Sequence, residues 1–215
     1  MRISREDYVL NPGPDGRPLA CAPAPAPARE PEAPFDMRPL DADTVPLVAE
    51  WLANPLNYKW LDFGLGRQSL STAALKVMQN SASHFIRVIH EEGGRPVGIF
   101  GLHNVDNPFG NAMLWGVRAR LRPPTKVRTR NVLKLVLAHG FEAHGLHSVH
   151  AWVVDRNQSS AMLMRSIGMT EMGRMRKCHL LDGVPRDRIL FDITREDFEA
   201  RASQAADDAA TGAEE

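Results

Sequence analysis

The chain has 215 residues, of which 43% are hydrophobic and 24% charged, and its formal net charge is zero. That length supports one domain with a real core plus tails rather than two domains. The balanced charge gives no global field that would draw the protein to nucleic acid or to a membrane. The two cysteines, Cys21 in a Pro/Ala tract and Cys178, are too unlike in context to suggest a disulfide framework or a metal site. The histidines are dispersed without metal-ligand spacing, so no metal is expected. No apolar run is long enough to span a bilayer, and MRISREDYVL lacks the apolar core of a signal peptide, which makes the cytoplasm the expected compartment.

Residues 1–34 read as an extension, because CAPAPAPAREPEAP alternates proline with alanine and favours polyproline II. MRISREDYVL before it fits a short strand or a short helix docked on the domain. The domain itself is expected over 35–198. MRPL (37–40) is a strand candidate, and ADTVPLVAEWLAN (42–54) a helix with Asp43 or Thr44 as cap and Pro46 in its first turn. NPLNYKWLDFGLGRQ is an irregular loop rich in aromatics, and SLSTAALKVMQNSA (69–82) a second helix with a Ser/Thr start.

Strands follow. HFIRVIHE (84–91), PVGIFGLHNV (96–105) and NAMLWGVRA (111–119), separated by EGGR and NPFG, read as an antiparallel meander. The period then changes: Val127, Val132, Leu135, Val136 and Phe141 fall at helical spacing in 125–145, with Gly145 as a natural stop. LHSVHAWVV (146–154) is a strand, NQSSAMLMRSIG (157–168) a helix, and MTEMGRMRKCHLL and RDRILFDIT a closing hairpin around Asp182-Gly183. Residues 199–215, small and acidic, are expected to fray as a disordered tail. The order β-α-α-β-β-β-α-β-α-β-β implies an α/β mixed sheet with helices on both faces.

That order, with Phe141, Gly145, Leu146, Val149, Asn157, Ser160, Gly168, Met169, Gly173, Arg176 and the Asp182-Gly183 turn, resembles the GNAT (GCN5-related N-acetyltransferase) superfamily. The pattern is closest to its ribosomal-protein N-terminal acetyltransferase-like branch. The resemblance implies the GNAT fold of about seven strands and an N-acyltransferase moving an acetyl group from acetyl-CoA to the amine of a small molecule or peptide. It also implies that strands 111–119 and 147–153 splay to admit the pantetheine arm, with the pyrophosphate on the loop and helix start after the first of them.

That loop departs from the family. Where the family reads Q/R-x-x-G-x-G/A, this chain has Pro124, Thr125, Lys126, Val127, Arg128 and Thr129, with no glycine between Gly116 and Gly140. Val127 is expected to put a branched side chain where phosphate oxygens usually sit. The same stretch is basic, through Arg118, Arg120, Arg122, Lys126, Arg128 and Arg130. A cofactor site rebuilt from Lys126, Val127, Arg128, Thr129 and Arg130 is therefore expected, since arginine suits bidentate phosphate contact.

The remaining roles come from the same resemblance. Met164 stands where many members carry a tyrosine acid, which leaves Ser160 to protonate the thiolate, and Asn157 would bond the pantetheine arm; the two also fit a plain helix cap. Strand 111–119 lacks the usual glutamate, so His103 and Asp106 are the substitute bases. Tyr58, Trp60 and Asp62, with Trp115, would line the acceptor pocket, aromatics plus one carboxylate suiting an amine on an apolar body. Two further readings stay open. One is a donor carried by an acidic acyl carrier protein docked on the arginines, and the other a non-catalytic GNAT-fold binding protein. A homodimer through exposed sheet edges also fits.

Overall fold

The computed structural model describes residues 34–211, with side chains through 204. The expected polyproline extension, and the strand or helix before it, lie outside the described residues.

Seven strands form one sheet in the order β1-β2-β3-β4-β5-β7-β6. They are β1 (Phe35–Pro39), β2 (His84–Glu91), β3 (Pro96–His103), β4 (Asn111–Arg118), β5 (Ser148–Val154), β6 (Thr170–Leu181) and β7 (Val184–Thr194). All neighbours are antiparallel except β4 and β5, which are joined by a helical crossover and run parallel. The helices are α1 (Val45–Ala53), α2 (Pro55–Tyr58), α3 (Thr72–Gln79), α4 (Thr129–Ala143), α5 (Gln158–Ser166) and α6 (Arg195–Thr211).

Each strand side feeds a separate core. Ile86, Val88, Ile99 and Val117 pack against Val48 and Leu52 of α1 and Leu75 of α3. Phe85, Phe100, Leu102 and Leu114, which alternate with them, pack against Val132, Val136 and Phe141 of α4. Covering both faces explains why HFIRVIHE and PVGIFGLH are almost continuously apolar. Fully buried anchors such as Phe141 and Phe191 contribute on the order of 2–3 kcal/mol each.

The helix ends follow the sequence. Ser71 accepts from the Ala74 N–H at the start of α3, and Asn157 accepts from the Ser160 N–H at the start of α5. Gly145, at φ +64°, turns the chain out of α4 as the sequence predicts.

Two elements differ from expectation. α2 is a single turn inside the aromatic loop, started by Asn54, whose side chain accepts from the Leu56 N–H. The tail expected to fray from 199 is instead helical through Thr211. The alanine-rich sequence has high helix propensity, and the Thr194 hydroxyl accepts from the Asp197 N–H at the helix start. Phe198 of this helix also packs against Phe141, anchoring it to the core.

Candidate active site

β4 and β5 pair at only three positions: Asn111 with Ser148, Ala112 with Val149 and Met113 with His150. Beyond Met113 and His150 the strands part, and backbone groups that would have completed the ladder face a gap. A cavity of about 700 Å³ occupies it. Leu133 of α4 and Ser160, Leu163 and Met164 of α5 line one end, while Trp60, Phe63, Ala74 and Met78 line the other. These sets belong to opposite faces of the sheet, so the cavity passes through it. Gly116 lies on its wall, and a Cβ there would come within 2.0 Å of the Phe100 ring. The absent side chain is what lets that ring fill its place.

A row of side chains crosses the closed end of the opening. The register places His84, His103, Met113, His150 and Asp192 side by side on five strands, on the face of α1 and α3. Nδ1 of His103 lies 2.9 Å from Nδ1 of His84, and their rings are 4.5 Å apart. One of the two must carry the proton between them, and when both rings are neutral that ring keeps a bare Nε2. Burial first, then the neighbouring His103, holds His84 below the usual histidine range, with Asp106 opposing. His150 is also lowered, mainly by burial, with Asp192 opposing.

The other polar feature is a latch. Arg188 of β7 donates from Nη2 to Asp62 Oδ2 at 2.6 Å and lies 3.9 Å over the Trp152 ring. Asp62 Oδ1 accepts from the N–H groups of Gly64 and Gly66. Burial alone would raise the Asp62 carboxyl, but the Arg188 bond and the two N–H groups outweigh it, and the net shift is downward. His179 completes the latch, donating from Nε2 to the Lys59 carbonyl and accepting from Arg188 at Nδ1.

Past the open end of the gap comes the loop into α4. The helix starts without a side-chain cap and without an acidic residue in its first turn, so its leading N–H groups and dipole favour an anion. Arg118, Arg122, Lys126 and Arg128 are exposed there and form no ion pair among the described residues. Arg120 differs, being tied to the Asn57 side chain and the Leu56 carbonyl.

The acetyltransferase (GNAT) domain model matches residues 35–170. The chain belongs to the GNAT acetyltransferase family. Its members are acyltransferases, as the sequence implied. Among solved structures, the acetyltransferase is similar to spermidine N-acetyltransferase from Vibrio cholerae in complex with CoA and spermine. The match has 15% identity and a TM-score of 0.68, covering 76% of this chain and 97% of that one. A point mutant of the Vibrio cholerae enzyme gives 16% identity and a TM-score of 0.67, covering 78% and 98%. No curated protein matches the sequence.

In the acetyltransferase the sequence-predicted residues do not all meet. His103, Ser160, Asn157, Trp60, Asp62 and Trp115 line the cavity. The Asn157 carbonyl caps α5, and the Ser160 hydroxyl makes no hydrogen bond among the described residues. Asp106 lies off the cavity wall, holding the Ser83 hydroxyl at 2.9 Å, so it cannot receive a proton from an amine there directly. Tyr58 belongs to α2 and does not reach the wall either.

Val127 corrects the expectation about the loop. Its side chain is only 5% exposed and packs in the α4 core, because an apolar side chain flanked by cations turns inward. It therefore does not obstruct the anion position, and its own N–H is held by the Thr125 hydroxyl. His84 is the site residue the sequence reading passed over. Counting outward from the Gly93-Gly94 turn would set it opposite Leu102, and only the register shift between Ile89 and His90 brings it against His103, which the sequence does not announce. Among the described residues no group of three or more His, Cys, Asp or Glu is arranged to hold a metal ion, and no helix is long and apolar enough to cross a membrane.

Proposed function

We propose that this protein transfers an acetyl group from acetyl-CoA to the amine of a small molecule or peptide, as a cytoplasmic member of the ribosomal-protein N-terminal acetyltransferase-like branch. The carrying observation is the cavity that runs through the sheet where β4 and β5 part. Thioester and amine can enter it from opposite faces and meet in the middle, which supplies the orientation such a reaction needs. The Vibrio cholerae enzyme's complex with CoA and spermine supports the same pairing of substrates.

The donor's phosphates would rest at the α4 start, on the N–H groups of Thr129 and Arg130 and the side chains of Lys126, Arg128 and Arg130. Its pantetheine arm would bond the free edges of β4 and β5 and the Asn157 amide. One amine proton passes to Nε2 of His103, whose Nδ1 proton moves to His84, with Asp106 close enough to His84 to favour the added charge. The amine proton leaves as the nitrogen lone pair attacks the thioester carbonyl, the C–S bond breaks, the Ser160 hydroxyl protonates the leaving thiolate, and the proton held on the histidine pair returns through water to the Ser160 oxygen. Backbone donors of β4 past Met113 stand ready for the carbonyl oxygen.

Calorimetric titration with acetyl-CoA tests the reading. Micromolar binding weakened in Arg128→Ala is the expected result, and no binding would overturn it. Arg118, Arg122, Lys126 and Arg128, exposed and without an ion pair among the described residues, also favour a second donor, an acyl chain on an acidic carrier protein, which the same titration with such a carrier distinguishes. A second copy of the chain would pair at the β6 edge, where Met172, Met175 and Leu180 are exposed.

A further inference from the structure

The acceptor end of the cavity has an unusual charge inventory for a site that handles amines. Among the described residues its wall carries one carboxylate, Asp62, against the guanidinium groups of Arg67 and Arg188. That carboxylate is not free. Arg188 holds one oxygen at 2.6 Å, and the N–H groups of Gly64 and Gly66 hold the other. The aromatic faces are partly spoken for as well. Arg188 covers Trp152 at 3.9 Å, and Lys59 sits 5.1 Å from the centre of Trp60. An ammonium group usually finds its place through a carboxylate or an open aromatic face. Here the protein's own cations occupy that carboxylate and lie on Trp152 and Trp60, while Phe63 and Trp115 are turned edge to face against each other.

What remains among the described residues is an apolar space, one unpaired cation and the buried Trp115 Nε1–H, which has no partner there. Leu61, Phe63, Ala74, Met78 and Trp115 supply flat or aliphatic surface. Arg67 is exposed on the same wall, and its guanidinium enters no hydrogen bond or ion pair among the described residues. The histidine pair at the inner end is the wall's titratable proton acceptor, and His84 is held toward its neutral form by burial and by His103. Such a site selects an amine by the body that carries it and receives the nitrogen uncharged.

We infer that the acceptor is a primary monoamine on a flat apolar body that ends in a carboxylate, and that polyamines are excluded. The inference rests on the acetyl-transfer reading for which end of the cavity takes the amine. In it the body packs against the edge-to-face pair of Phe63 and Trp115, the carboxylate meets Arg67 at the mouth, and the amine reaches His103. A polyamine would bring a second and third ammonium against Arg67 and Arg188 with no free carboxylate to meet them.

The test uses the full chain and three probes, 4-(aminomethyl)benzoate, benzylamine and spermidine, read by thermal shift and by quenching of tryptophan fluorescence. Both readouts report binding without any acetyl transfer. The expected order is 4-(aminomethyl)benzoate tightest, benzylamine about three- to fivefold weaker, as an exposed ion pair gives, and spermidine at least about tenfold weaker than the first. Arg67→Gln, a substitution at an exposed position, should collapse the difference between the first two. Spermidine binding as tightly as benzylamine, or a carboxylate advantage that survives Arg67→Gln, would overturn the inference. Acetyl-CoA binding, titrated separately, reports on the acetyl-transfer reading alone. Its failure with the amine order intact would remove the reaction and leave the site.

Discussion

Replacing Asp62 by asparagine tests the latch over the cavity. Asparagine keeps an oxygen for the Gly64 and Gly66 N–H groups, so the change isolates the charge. The two partners are 16% and 14% exposed and 2.6 Å apart. Breaking a fully buried pair costs about 3–5 kcal/mol, and this slight exposure brings the expectation to about 3 kcal/mol. Arg188 is then left charged over Trp152, with a buried Nε that already has no partner among the described residues. For a domain of this size that loss lowers the melting temperature by roughly 6–12 °C. The pH dependence has a definite sign. The folded carboxyl is shifted down, so its stabilisation is complete above the unfolded value of about 3.9 and is lost as pH falls through the folded value. Urea unfolding of wild type and Asp62→Asn should therefore show a constant gap from pH 7 to about 5, closing below about 4. A gap under about 1 kcal/mol, or one that closes between pH 7 and 5, would refute the account.

Two predictions concern the inside of the cavity. kcat/KM should fall on the acid side with a midpoint below the usual 6.5 of histidine, because burial and His103 lower His84 and protonation removes the pair's free nitrogen. His84→Asn should cut kcat/KM about ten- to a hundredfold at pH 7.5 and move that limb; an unchanged limb would show that His84 does not share the proton. Gly116→Ala should cost about 1–3 kcal/mol in urea unfolding, since the new Cβ overlaps the Phe100 ring and the core must shift. A neutral effect would mean the ring moves freely.

Much of the fold was legible because its signals are local. The limits of β2 follow from the apolar run between Ser83 and the Gly93-Gly94 turn, and the end of α4 from Gly145. The parting of β4 and β5 was readable only through family resemblance, since nothing in NAMLWGVRA or LHSVHAWVV announces that pairing stops after Met113 and His150. The candidate site was legible where a residue's strand fixes its direction, as for His103 and Trp115. It was not legible where a distant partner decides a residue's role. Asp62 reads as a free carboxylate until Arg188, 126 residues later, is brought against it. Asp106 reads as a base until the turn aims it at Ser83. Side-chain direction in a loop depends on tertiary contacts, and sequence spacing does not carry them.

The loop before α4 presents side-chain cations where a glycine loop would present bare backbone. A glycine loop holds phosphates through backbone N–H groups, whose contribution depends little on ionic strength. In this chain Val127 has turned into the core, its N–H is held by Thr125, and Arg95 donates to the Pro123 carbonyl, so the backbone is fixed from behind. What faces solvent is the helix start together with Lys126 and Arg128. Exposed cations are screened over about 10 Å at 0.1 M salt, and each is worth at most about 1 kcal/mol. Two or three of them give a donor affinity that falls roughly ten- to a hundredfold between low and high salt. In the Lys126→Ala, Arg128→Ala double variant most of that salt dependence should vanish, leaving the weak residual affinity of the helix start. Calorimetry with acetyl-CoA at two salt concentrations decides it. If binding were equally tight at both, the side chains would not be the cradle, and the backbone N–H groups of Thr129 and Arg130 would have to carry the phosphates alone.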